Sequence, residues 1–318
     1  MRNIAFFAVL MLAAALSIVA SAEVDPKAET LKNEGNELFR KGDFDGAIEK
    51  FTKAVEIDST FAFGFNNLGI ALFEKGDYKA SAESLERAVA LDSTYSKAFN
   101  NLGNAYMAIG DYEKARGSFN RSIELGPEAA QKFINLGNAL FADGQFDAAI
   151  EAFQKAIDLD SFSADAFNNY GMALMKKGDI EGAKEKFLEA TKADSRFARA
   201  YINLGNIHYD NGRGNLEQAA EYYGKAVKID KNDALARFHL GLVYSAQGDY
   251  NKALNELRRA VRSAPDNADI QYAAGVTYAS RGNASMAIRH LEKAVELDPD
   301  FGYARKALAI AREKQKKK

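Results

Sequence analysis

Apolar residues recur along this chain at helical spacing, in short stretches separated by turns. From Ser96, the residues Phe99, Leu102, Gly103, Tyr106 and Ile109 share one helical stripe. Beyond Gly110-Asp111, the residues Ala115, Phe119, Ser122 and Ile123 form a second. A glycine can end the first helix in a left-handed conformation, and the aspartate can cap the second by accepting a backbone hydrogen bond. The stretch therefore predicts an antiparallel helix pair. Gly42-Asp43, Gly76-Asp77, Gly178-Asp179 and Gly248-Asp249 repeat the same turn chemistry.

The pair is itself periodic. A second kind of glycine, inside the first helix, returns every 34 residues at Gly35, Gly69, Gly103, Gly137, Gly171 and Gly205, and after a two-residue slip at Gly241 and Gly275. A unit of this length cannot bury its own apolar face, so its neighbours must stack on it. Each interior glycine costs about 1 kcal/mol against alanine. Close approach of the paired helices, with Ala115 facing Gly103, is the expected offset.

These residues resemble the tetratricopeptide repeat. Its pattern is met by Phe99, Leu102, Gly103, Tyr106, Ala115, Phe119 and Pro127, with Ser122 in the second alanine place. Phe133, Leu136, Gly137, Leu140, Ala149, Phe153 and Ala156 meet it again, as do Phe167, Tyr170, Gly171, Leu174, Ala183, Phe187 and Ala190. The resemblance implies an all-α fold, a right-handed superhelical solenoid of eight antiparallel helix pairs over residues 28–301, followed by a capping helix and basic tail over 302–318. Departures are local. Ser81 takes an alanine place, Arg237 and Gln271 replace the first large apolar residue, and His208 replaces the aromatic of its first helix as a satisfied structural residue. Asp210 to Asn215 lengthens one turn. Its Gly-Arg-Gly is no phosphate loop, because no strand precedes it.

Residues 1–22 stand outside the array. Met1-Arg2 supplies a positive start, Ile4 to Ala20 is almost wholly apolar, and Ala20-Ser21-Ala22 has the form of a cleavage site. This predicts a signal peptide, a short linker over 23–27, and a periplasmic or secreted protein, with a bacterial envelope favoured. The chain has no cysteine, so stacking alone must hold it and thiol chemistry is excluded. A formal charge of −2 gives no pull toward nucleic acid. His208, His239 and His290 are scattered, with no HExxH, nucleophile elbow or nucleotide loop. The expectation is a non-enzyme without cofactor, metal or small-molecule substrate, whose partner is another protein.

In the family, the first helices of successive repeats line a concave groove that holds extended peptides or partner helices. Asn33, Asn67, Asn101, Asn135, Asn169 and Asn203 lie two residues before the interior glycines, and Asn36, Asn104, Asn138 and Asn206 one residue after. An amide offers both donor and acceptor, so such a ladder suits a peptide backbone of any sequence. Bonding between neighbouring helices suits it equally. Phe39, Phe73, Met107, Phe141, Met175 and Tyr209 should sit beside it as packing and apolar floor. Lys32, Asn36, Asn67 and Lys97 match a carboxylate-holding pattern known in the family, but Asn101 stands where that pattern has arginine, so the bidentate partner is missing. Toward the C-terminus, Phe238, Leu242, Tyr272 and Val276 form an apolar patch for a partner helix or for packing on the last helix. Two roles follow: an exported scaffold that binds a partner's peptide segment in envelope assembly, or a structural solenoid that associates through its ends or convex face.

Overall fold

The computed structural model describes residues 24–209 and 214–316. The expected signal peptide lies outside these residues, as do most of the lengthened turn and the final two lysines. Among the described residues there are seventeen helices and no strand. They fall into two compact units that divide between Ala152 and Phe153.

The first unit holds α1 (Pro26–Arg40), α2 (Phe44–Ile57), α3 (Ala62–Glu74), α4 (Tyr78–Leu91), α5 (Ser96–Ile109), α6 (Tyr112–Glu124), α7 (Ala130–Ala142) and the start of α8 (Phe146–Leu159). The second holds the rest of α8, then α9 (Ala164–Lys177), α10 (Ile180–Ala193), α11 (Ala198–His208), α12 (Leu216–Ile229), α13 (Ala234–Ala246), α14 (Tyr250–Ser263), α15 (Ala268–Ser280), α16 (Ala284–Leu297) and α17 (Gly302–Lys316). Odd-numbered helices up to α15 are the A helices of their pairs and even-numbered ones the B helices. Within each unit, an A helix packs on its own B helix and the B helix on the next A helix, and further contacts join α1–α3–α5–α7 in the first unit and α13–α15–α17 in the second.

The turn chemistry follows the sequence. Gly42, Gly76, Gly110, Gly178 and Gly248 have φ between +79° and +88°, the left-handed region that favours glycine. The next residue caps the B helix. Asp43, Asp77, Asp111, Asp179 and Asp249 each accept from a backbone N–H three residues on, at 2.9–3.2 Å. Asn215 and Asn283 do the same for α12 and α16.

The interior glycine has a different neighbour from the one expected. A Cβ on Gly103 would lie 2.4 Å from Cε1 of Phe119, one turn beyond Ala115. The equivalents meet the same position of their own B helix: Gly35 with Phe51 at 2.6 Å, Gly69 with Leu85 at 2.5 Å, and Gly171 with Phe187 at 2.7 Å. The large residue of the B helix thus lies flat over the bare backbone of the A helix, and Phe51, Phe119 and Phe187 are fully buried. Ile109, expected on the core stripe, is instead exposed at the end of α5.

Polar residues at core positions are bonded with one exception. Ser81 donates to the carbonyl of Gly69 at 2.7 Å, and Ser122 to that of Ser96 at 2.9 Å. Arg237 is 5% exposed and ion-paired with Glu256, and its Nε donates to the Lys231 carbonyl at 2.7 Å. One repeat later, Gln271 donates to the Pro265 carbonyl at 2.8 Å, while its Oε1 meets Nδ1 of His290 at 2.8 Å. His208 is the exception and a correction: its ring stacks on Tyr222, but its buried Nε2 has no partner among the described residues.

Candidate peptide-binding face of the A helices

On α5, the residues Ala98, Leu102, Gly103, Ala105 and Tyr106 are buried against neighbouring helices. Lys97, Asn101 and Asn104 fall on another stripe, at spacings of four and three residues, and remain exposed or half-buried. Asn33 and Asn36 on α1, Asn135 and Asn138 on α7, and Asn203 and Asn206 on α11 occupy the same stripe. Asn67 and Asn169 hold it on α3 and α9.

Much of this ladder is engaged within the protein. In the first unit, Nδ2 of Asn101 donates to Oδ1 of Asn66 at 2.9 Å, Nδ2 of Asn66 to Asn67 at 3.2 Å, and Nδ2 of Asn67 to Asn36 at 3.0 Å. Asn135 donates to Asn100 at 3.0 Å and accepts from Gln131 at 2.9 Å. In the second unit, Asn203 donates to Asn168 at 2.8 Å, and Asn168 to Asn169 at 3.0 Å. Each of these four bonds between repeats runs from the later repeat to the earlier one. The acceptors Asn66, Asn100 and Asn168 escaped the sequence reading. Their signal was present as the doublets Asn66-Asn67, Asn100-Asn101 and Asn168-Asn169.

Other ladder amides are not so committed. The side-chain amides of Asn33 and Asn104 have no hydrogen bond within the described residues, and Asn33 is exposed. Asn206 is exposed and accepts from the Tyr223 hydroxyl at 2.7 Å. An amide supplies up to two donors and two acceptor sites, so Asn101 and Asn67 keep capacity beyond their internal bonds. The carboxylate-holding set is more occupied: Lys32 pairs with Glu29, and Asn36 and Asn67 bond to each other, which leaves Lys97.

Of the large residues beside the ladder, Phe73 and Met107 pack on a cluster that spans repeats, including Ala82, Leu102 and Ala139, and three make ring contacts within their own repeat. Phe39 meets Phe44, Phe73 meets Tyr78, and Phe141 meets Phe146, with centroids 5.1–5.5 Å apart. In repeat seven the ladder position becomes His239, whose ring stacks on Tyr223 at 5.2 Å. Burial first holds its imidazole below the ordinary value, against an opposing pull from Asp233. Phe238 and Leu242 pack on Leu257, Ala273 and Ala274. Tyr272 and Val276 pack on the cluster that includes Leu291 and Leu308, and the Tyr272 ring lies 5.0 Å from that of Phe301. The apolar patch is therefore half-buried in packing between repeats.

Among curated proteins, none matches this chain. Among solved structures, the Cut9-Hcn1 hetero-tetramer of the APC/C aligns over 94% of the chain with a TM-score of 0.61 and 21% identity. That alignment covers 58% of the matched chain, so the present chain spans little more than half its length. PilF of Pseudomonas aeruginosa aligns over 69% of the chain and 98% of its own, with a TM-score of 0.59 and 22% identity. At such identities both show the fold alone. The MamA protein aligns over 54% of the chain and 94% of its own, with a TM-score of 0.51 and 29% identity. The tetratricopeptide-repeat profile matches residues 66–130, 100–166, 134–183 and 238–300. A second profile, of the TPR repeat, matches 35–76, 171–212 and 213–248. With more than half its length matched by the first profile and its helices paired as described, the chain belongs to the tetratricopeptide-repeat family, a scaffold fold compatible with protein–protein interaction.

Proposed function

We propose that this chain is an exported interaction scaffold that holds an extended segment of another protein against the asparagine-bearing face of its A helices, in the service of cell-envelope assembly. The observation that carries the proposal is the presence of uncommitted amides, Asn33 and Asn104, on a stripe where Asn36, Asn67, Asn101, Asn135 and Asn203 are fixed by bonds between repeats. Each amide offers both donor and acceptor, which suits the backbone of a peptide of any sequence. Export belongs to the same proposal and rests on the apolar run from Ile4 to Ala20 and the small residues that end it.

The test is a crosslinked pull-down from bacterial envelope extract, using the chain without residues 1–22 beside its Asn33→Ala/Asn104→Ala variant. Neither amide holds the repeats together, so the variant should melt as the parent does while losing its partners. Partners retained by the folded variant would move the function to the ends or the outer face of the helices. The inter-repeat bonds favour that second reading, in which the ladder is purely structural. Export is checked separately by the intact mass of the protein recovered from the envelope fraction, where a chain still beginning at Met1 would count against it.

A further inference from the structure

The B helices of this chain mostly balance their charges by pairs at three or four residues' spacing, as Lys53 does with Glu49 and Lys225 with Glu221. Helix α14 departs from this. It carries Lys252, Arg258, Arg259 and Arg262 against a single acid, Glu256, and that acid is spent on buried Arg237. Lys252 is paired with its capping Asp249. The three arginines are exposed and have no carboxylate partner among the described residues. On a chain of net charge −2, this is a local excess of positive charge.

A cleft of about 570 Å³ lies beside these arginines, between α14 and α16. Its apolar surface comes from Val261, Pro265, Met286 and the ring of Tyr278. Its rim carries Arg258 and Arg289. Arg258 directs Nε to the Leu254 carbonyl at 3.1 Å, which fixes the side chain and leaves the rest of its fork available. Arg289 has no side-chain partner among the described residues. The acids at the cleft are already matched: Glu292 pairs with Arg312 at 2.7 Å, and Glu296 with Lys293 at 2.9 Å. Two guanidinium groups thus stand uncompensated over an apolar floor. Arg259 and Arg262 line an adjoining cleft of about 480 Å³ with Lys231, which extends the positive surface along α14.

We propose that the cleft between α14 and α16 is a second binding site, separate from the A-helix face, for an acidic peptide segment bearing an apolar side chain. Charge complementarity selects the acid, because each arginine can grip a carboxylate through two parallel hydrogen bonds. The apolar floor selects a peptide over a phosphate backbone: burying Val261, Pro265 and Met286 needs a hydrophobic side chain, and a solvated duplex or a flat lipid surface offers none at that depth.

The test uses fluorescence anisotropy at low salt with a short labelled peptide of alternating glutamate and phenylalanine. Its glutamine–phenylalanine and glutamate–serine counterparts, a single-stranded oligonucleotide and phosphatidylserine vesicles serve as competitors. The parent peptide should bind, and Arg258→Gln/Arg289→Gln should weaken it by about tenfold or more. Both counterparts should compete poorly. Arg40→Gln/Arg87→Gln, in the first unit, should leave binding unchanged. No binding of the parent peptide, equal weakening by the two double variants, or better competition by the oligonucleotide or vesicles would each overturn the proposal. Circular dichroism of the exposed-arginine variants, expected to match the parent, keeps loss of fold from passing as loss of the site.

Discussion

Two glycines in the third repeat sit inside helices and should respond to substitution with opposite sign. At Gly103, added atoms run into the ring of Phe119, which is itself fully buried and cannot retreat. Gly103→Leu should destabilise by about 1–3 kcal/mol or more, as overpacked cores do. At Gly117, nothing lies within 4 Å of an added Cβ. Gly117→Ala should stabilise by about 0.5–1 kcal/mol, because only the helix-propensity term remains. Urea unfolding of both variants checks the pair, and a destabilised Gly117→Ala would count against the packing account. The period of 34 residues distinguishes the two glycines in the sequence, since Gly103 recurs and Gly117 does not. The identity of the neighbour was not legible there. Ala115 and Phe119 lie on the same stripe one turn apart, and the relative shift of two packed helices decides which of them faces the glycine.

Among the elements, the A helices of repeats seven and eight break the family pattern in the same place. Arg237 and Gln271 stand where earlier repeats have Phe99, Phe133 or Phe167. Each is answered by a polar residue nineteen positions on, Glu256 or His290, and by a loop carbonyl six positions back. The sequence showed the departures but not the answers, because the partner sits on the other helix and is an ordinary surface type. Removing one partner of a buried charge pair leaves the other uncompensated, so Glu256→Ala should cost about 3–5 kcal/mol. Arg237→Phe/Glu256→Ala reproduces the pairing of Phe133 with Ala152 in repeat four and should be neutral or up to about 4 kcal/mol stabilising. Denaturant midpoints of the single and double variants decide it. A double variant no better than the single would show that the pair shapes the repeat beyond its charge.

At the scale of the whole chain, all three histidines lie beyond residue 152, so one unit should feel a pH change that the other does not. His208, His239 and His290 are each held below the ordinary imidazole value of 6.5, first by burial. Nearby Lys184 lowers His208 further while Glu181 opposes, and Arg289 lowers His290. A depressed folded-state value means that the unfolded chain takes up protons first as pH falls. The stabilisation is complete above about pH 6.5 and is lost as pH falls through the folded-state values. Hydrogen exchange at pH 7.5 and 5.5, corrected for intrinsic rates, should show protection lost after residue 153 and kept before it. Equal loss in both units would refute the assignment. The amide bonds between repeats bear on something other than stability. Each runs from a donor on the later repeat to an acceptor on the earlier one, so the leading edge of repeat three complements the trailing edge of repeat two. Duplicating residues 62–95 in tandem would place Asn67 of the inserted copy opposite Asn66 of the original, and Asn101 opposite Asn66 of the copy. Recombination within such an array can lengthen it one unit at a time without leaving an orphaned amide at the joint.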